Sequence, residues 1–160
     1  ERVLGDRRAI AHEDVGSLAY CAAVVTEALR LYPPAPLTVR TLEAPLELEG
    51  STSGEATTLP AGTMVYLPIW WIHRDERNWG ADAEQFRPER HLEPDNGLTL
   101  LPFGGGERVC LGKALAELEI RLMAVGLLRQ VVLQLAPDQD LSLALIPSPS
   151  PRDGLLVTAA

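Results

Sequence analysis

Two cysteines in 160 residues, Cys21 and Cys110, are too few for a disulfide framework. Together with His12, His73 and His91 they lie scattered, without a C-x-x-C or H-x-x-x-H pair, so a zinc site is a poor fit. Basic residues are also scarce: 14 Lys and Arg stand against 22 Asp and Glu, for a net charge of −8. Nucleic acid is therefore not expected as a partner, because neutralising phosphates takes clustered Lys and Arg. No apolar run is long enough to span a bilayer, and no segment has the charged, apolar and small-residue order of a signal peptide. What is present is a globular composition, 46% hydrophobic, at a length suited to one domain. Reduced, intracellular chemistry is the expectation.

Of the two thiols, Cys110 sits in the more telling place. It ends the glycine-rich run Leu101-Pro102-Phe103-Gly104-Gly105-Gly106-Glu107-Arg108-Val109-Cys110, followed by Leu111-Gly112 and a long apolar helical pattern. Unpaired N–H groups and the dipole at a helix start favour a thiolate. A single thiolate on such a loop suits one open metal position, such as the axial site of a haem iron. The plain alternative is a buried, inert thiol.

The spacing predicts a helix from about Asp14, as cap or first-turn residue, to Leu31, with Leu18, Cys21, Ala22, Val25, Ala28 and Leu29 at helical intervals. Pro33 and Pro34 stop it. Short strands follow at 37–40, 46–48, 57–59 and 64–67, with Gly50, Gly54 and Gly62 as turn signals between them, so hairpins are expected. A helical turn fits 69–73. Residues 75–97, with Pro88, Pro94 and Gly97, read as an irregular meander anchored by Trp79, Phe86 and Leu92. A second helix is predicted over about 111–130, with Leu115, Leu118, Leu122, Val125 and Leu128 on one face and a Glu117–Arg121 pair. The tail, 132–160, reads as short strands broken by Pro147, Pro149, Pro151 and Gly154.

Glu27 and Arg30 are three apart on the first helix and share a face. An isolated pair of this kind is usually a solvated surface contact of little weight. Here the helix stops just beyond it, and another guanidinium waits in Phe86-Arg87-Pro88-Glu89-Arg90. A carboxylate between two arginines can be buried only if each partner has further hydrogen bonds. Such a network would lock the helix against the meander.

Taken in order, these motifs resemble the cytochrome P-450 family of haem-thiolate monooxygenases. Glu27-x-x-Arg30 resembles the family's K-helix motif. Phe86-x-Pro88-x-Arg90 resembles its meander motif, whose arginine completes a Glu-Arg-Arg network. Phe103-x-x-Gly106-x-Arg108-x-Cys110-x-Gly112 is similar to its haem-binding signature, and Ala116 and Glu119 extend the match. Weaker similarities, from Glu1-Arg2-Val3-Leu4-Gly5 through Leu59-Pro60-Ala61-Gly62-Thr63 to His73-Arg74-Asp75, spread the resemblance over essentially the whole chain.

The resemblance implies an α+β fold, the C-terminal part of the P-450 architecture, with K and L helices, mixed β pieces, meander and cysteine loop. It implies haem b (iron protoporphyrin), with Cys110 as axial ligand of the iron and catalytic centre. Phe103 would shield the thiolate, and Arg108 would pair with a propionate. Gly106 and Gly112 would allow the ring a close approach, and Glu27, Arg30 and Arg90 would form the structural network. Arg40 is a second propionate partner by resemblance, or a solvated strand charge on its own pattern. His73 could likewise reach a propionate or cap the meander. Cys21 reads as a core thiol, His91 as a surface residue, and Trp70 and Trp71 as packing.

Residues 1–160 would be a C-terminal haem-binding portion, because nothing matches the family's distal acid/Thr pair. The activity implied is insertion of one atom of dioxygen into a lipophilic organic substrate, with electrons from a redox partner docking near Arg108 and Lys113. Pro36, Leu37 and Thr38 match a pocket-lining segment. A haem-thiolate isomerase or dehydratase on the same fold, or an incomplete non-enzymatic fragment, are the alternatives. A membrane anchor would lie in a missing N-terminal segment; without one the protein would be cytoplasmic.

Overall fold

Two prolines set the end of the helix that carries Glu27 and Arg30. In the computed structural model, which describes residues 4–5, 10–50, 56–93, 99–144 and 148–159, α2 spans Ala19–Leu31 and stops short of Pro33. The single helix expected from Asp14 is corrected. His12–Val15 forms its own turn, α1, and residues 16–18 separate it from α2. Asp14 closes that turn on itself, its carboxylate accepting from the Ala11 N–H at 2.9 Å.

The strands fall where alternation and turn residues place them. β1, Thr38–Thr41, pairs antiparallel with β4, Met64–Leu67, with Thr38 opposite Leu67 and Thr41 opposite Met64. Between them in sequence, β2 (Leu46–Leu48) and β3 (Thr57–Leu59) make an inner antiparallel pair. Gly62 takes φ +84° in the turn entering β4, a conformation that disfavours a side chain. The turn signal at Gly54 lies outside the described residues, as do Pro94, Gly97, Pro147 and residues 1–3.

A one-turn helix, α3 (Ile69–Ile72), then carries the chain back toward the C-terminal end of α2. Asp75 caps α4, Glu76–Trp79, by accepting from the Arg77 N–H. Of the three anchors expected in the meander, Trp79 alone is buried, at 4% exposure; Phe86 and Leu92 are about half exposed. Pro88–His91 forms a 3₁₀ turn against α2.

α5, Lys113–Leu128, packs on α2. Its Glu117–Arg121 pair forms as expected, at 3.6 Å. The apolar face is only partly covered: Leu118, Leu122 and Val125 are half-buried, whereas Leu115 and Leu128 are exposed. In the tail, β5 (Leu133–Leu135) pairs with β8 (Val157–Ala159), and β6 (Leu143–Ala144) with β7 (Ser150–Pro151). The architecture is thus α+β. Ala23, Val25, Leu31, Ile69, Trp79 and Ala83 are buried along with Glu27, Arg30, His73 and Arg90.

Candidate functional site

The Glu27–Arg30 spacing puts both side chains on the buried face of α2, and both have zero exposure. Their guanidinium–carboxylate contact is bidentate, with Arg30 Nε and Nη2 donating to Glu27 Oε2 and Oε1 at 2.8 Å each. Arg30 Nη1 donates to the His73 and Ala83 carbonyls, and Nη2 also to the Gln85 carbonyl. All five N–H donors of Arg30 are therefore used. Its Cζ also lies 4.9 Å from the centre of the Trp79 ring. This is a buried lock, and the surface-pair reading is overturned.

Glu27 is the hub on the other side. Its Oε1 accepts from the Arg87 N–H at 2.9 Å and from Arg90 Nε at 3.1 Å. Arg90 in turn donates to the Trp79 and Asp82 carbonyls. Burial pushes the Glu27 carboxyl up, but hydrogen bonds from Arg30, Arg87 and His91, with the Arg30 charge, more than offset it and hold the group down at about 2.

His91 is not the surface residue its pattern suggests. Its Nε2 lies 2.8 Å from Glu27 Oε2, and its ring meets Trp79 edge-on at 6.1 Å. Burial, opposed by Glu27, lowers its pKa, so the ring is neutral at neutral pH and Nε2 donates. Trp79 is the buried anchor expected of it, while His73 is tied in more deeply than a cap of the meander. His73 has zero exposure and Trp79 stacks on the central guanidinium. The one signal available was a histidine and a tryptophan bracketing a short polar turn.

Trp70 does pack, with the Arg74 guanidinium 3.6 Å from its ring centre, but Trp71 is 65% exposed, which corrects the packing role expected of it. Arg74 also donates to the Leu31 carbonyl, one of the unpaired acceptors at the end of α2. Cys21 is half-buried on α2, and burial raises its pKa.

The cysteine loop closes on itself. Gly104 N–H donates to Leu101 O, and Cys110 N–H donates to Phe103 O at 2.9 Å. Gly104 and Gly106 have φ of +73° and +64°, which a side chain disfavours. Gly105 is different: its backbone is extended, and what a side chain would meet there is Leu101 Cδ2 at 3.3 Å. Gly112 caps α5, and a Cβ on it would stand 3.9 Å from Cys110 Sγ.

The Cys110 thiol is exposed, which sets aside the inert buried thiol. Val109 and Leu111 beside it are exposed too, Leu111 completely. Phe103 is half-buried and Arg108 exposed on the same loop. Arg40 is exposed on β1, folded back onto Thr38 Oγ1 and the Val39 carbonyl. Among the described residues no three His, Cys, Asp or Glu side chains gather to hold a metal ion. One exposed soft donor flanked by apolar side chains would suit a group held by a single protein ligand, such as a haem iron, better than an ion that needs several.

The family model described as Cytochrome P450 matches residues 1–157. The chain is 42% identical over 120 residues to cytochrome P450 71A14 of Arabidopsis thaliana, covering 71% of this chain and 23% of that protein. It is 37% identical over 139 residues to cytochrome P450 52-M1 of Starmerella bombicola, covering 83% and 26%. A solved structure, retinoic acid-bound cyanobacterial CYP120A1, superposes with a TM-score of 0.86 at 33% identity, over 98% of this chain and 36% of that one. The chain spans about a quarter of the length of the curated relatives it matches.

Proposed function

The chain belongs to the cytochrome P450 family, and from that premise we propose that it is the C-terminal haem-binding portion of a longer haem-thiolate monooxygenase. The observation that carries the reading is the exposed Cys110 thiol, on a self-bonded glycine loop, just ahead of α5. Haem b bound there would supply an iron that activates dioxygen, with the thiolate's electron donation favouring O–O cleavage.

The chain's own residues have distinct tasks in this reading. Cys110 supplies the sulfur, and Phe103 keeps water from it. Gly106 and Gly112 leave room for the ring. Arg108, exposed on the loop, pairs with one propionate. Arg40 turns from its β1 contacts to a second. Glu27, Arg30 and Arg90 keep the meander fixed to α2. The substrate is a lipophilic organic molecule, met in part by Leu37, which is 45% exposed ahead of β1. Electrons come from a redox partner docking near Arg108 and Lys113. No helix among the described residues is long and apolar enough to cross a membrane. On this reading the protein is intracellular, in the cytoplasm or held at a membrane.

The test is the carbon monoxide difference spectrum of the reduced, haem-loaded longer protein. The band of a thiolate-ligated haem is expected, and Cys110→Ser should abolish it. A wild-type spectrum of an imidazole-ligated haem, or one unchanged by Cys110→Ser, sinks the reading.

A further inference from the structure

The last carbonyls of α2 have no partner within the helix. Two of them are met by consecutive residues of one short turn: Arg74 donates to Leu31 O, and His73 Nδ1 lies 2.9 Å from Arg30 O. The other nitrogen of the same imidazole, Nε2, accepts from the Leu101 N–H at 2.8 Å. Both partners are backbone groups with fixed roles. An N–H can only donate, so Nε2 must present its lone pair. A carbonyl can only accept, so Nδ1 must carry the proton. The ring is thereby held as one neutral tautomer.

Leu101 is where the cysteine loop sets out. Its carbonyl accepts from Gly104 N–H, and two residues on, the Phe103 carbonyl accepts from Cys110 N–H. Arg30 itself is doubly engaged: its side chain is tied to Glu27 and three carbonyls, and its own carbonyl to His73. His73 is also held by its carbonyl, which accepts from Arg30 Nη1 at 2.6 Å. We propose that His73 is the positioning residue that fixes the start of the Cys110 loop to the end of the Glu27–Arg30 helix, and so sets where the sulfur stands.

The surroundings keep the ring fit for that task. Burial, opposed by the Arg30 carbonyl but joined by the Arg30 and Arg74 charges, depresses its pKa to about 4. The Trp79 ring covers it edge-on at 6.2 Å. A doubly protonated ring would turn an N–H against the Leu101 N–H and break the strap.

The inference rests on the reading of Cys110 as iron ligand, and its test separates the two. The first measurement is the scalar coupling between the isotope-labelled nitrogens of Leu101 and His73 Nε2, in the haem-loaded longer protein with reduced iron and carbon monoxide bound. An N–H···N hydrogen bond transmits such a coupling, and we expect to detect it. The second is the carbon monoxide spectrum of His73→Phe, which keeps a ring but has no donor or acceptor. Most of the thiolate band should be lost there, and His73→Asn, with one donor and one acceptor, should restore much of it.

Absence of the coupling in wild type overturns the proposal even if no variant folds. So does a His73→Phe protein with an undiminished thiolate band, or a His73→Asn protein no better than His73→Phe. A wild type with the coupling but no thiolate band would instead defeat the ligand reading and leave the strap standing.

Discussion

The two functional regions of this chain are built in opposite ways. Glu27, Arg30 and Arg90 are buried charges, each answered by other groups of the same chain. Around Cys110 the loop is closed by a few backbone hydrogen bonds and its side chains are open: Val109, Cys110 and Leu111 are all exposed. The first region is finished by the chain itself. The second leaves a soft sulfur and apolar surface uncovered, as the proposed haem site requires. That division separates anchor from site.

The most severe way to break the contrast is Glu27→Ala. It would leave two guanidinium groups buried without their carboxylate, a loss of about 3–5 kcal/mol. Chemical denaturation should show it as a collapse of the midpoint. A loss within the range of a surface ion pair would mean the network is not the anchor.

Acid should act on the same region next. Both buried groups have folded pKa values below their ordinary ones, Glu27 at about 2 against 4.5 and His73 at about 4 against 6.5. The unfolded chain therefore binds protons first, and stability falls as pH falls. The His73 contribution is complete above 6.5 and is lost toward 4, at most about 3 kcal/mol. The Glu27 contribution is complete above 4.5 and is lost toward 2. Denaturation midpoints measured across this range should fall in two stages, and His73→Phe should remove most of the upper one. His91, also depressed, contributes to that stage in the same direction.

His91→Phe is a smaller perturbation. It removes one contact to Glu27 and leaves those from Arg30, Arg87 and Arg90. A loss of about 1 kcal/mol by denaturation is expected. At the open region, Leu111→Ser should change the stability of the isolated chain by no more than about 0.5 kcal/mol, because Leu111 is fully exposed there. In the haem-loaded longer protein the same change should speed haem loss. A large effect on the isolated chain, or none on haem retention, would blur the distinction.

The contrast also explains what could be read from sequence. Strand positions, the proline stop of α2 and the α5 span followed from short-range rules and were legible. The Glu27–Arg30 pair was legible as a candidate, because the stop and the later Arg90 gave it context. The break at Gly16–Leu18 was not, since the apolar spacing runs straight through it. His73 and His91 were underrated for a deeper reason. Their importance comes from contacts 43 and 64 residues away, to Arg30 O and Glu27. No local pattern encodes such pairings. Phe86, Leu92 and Trp71 erred the other way, as large apolar residues that looked like anchors and are exposed.

Hydrogen exchange resolved to single amides tests the division between anchor and site most directly. Arg87 N–H, held by Glu27, and Leu101 N–H, held by His73, should exchange slowly in the isolated chain. The Leu111 and Gly112 amides, on the exposed loop, should exchange fast there and slow only when haem fills the longer protein. Fast exchange at Arg87 and Leu101, as fast as at Leu111, would contradict the account.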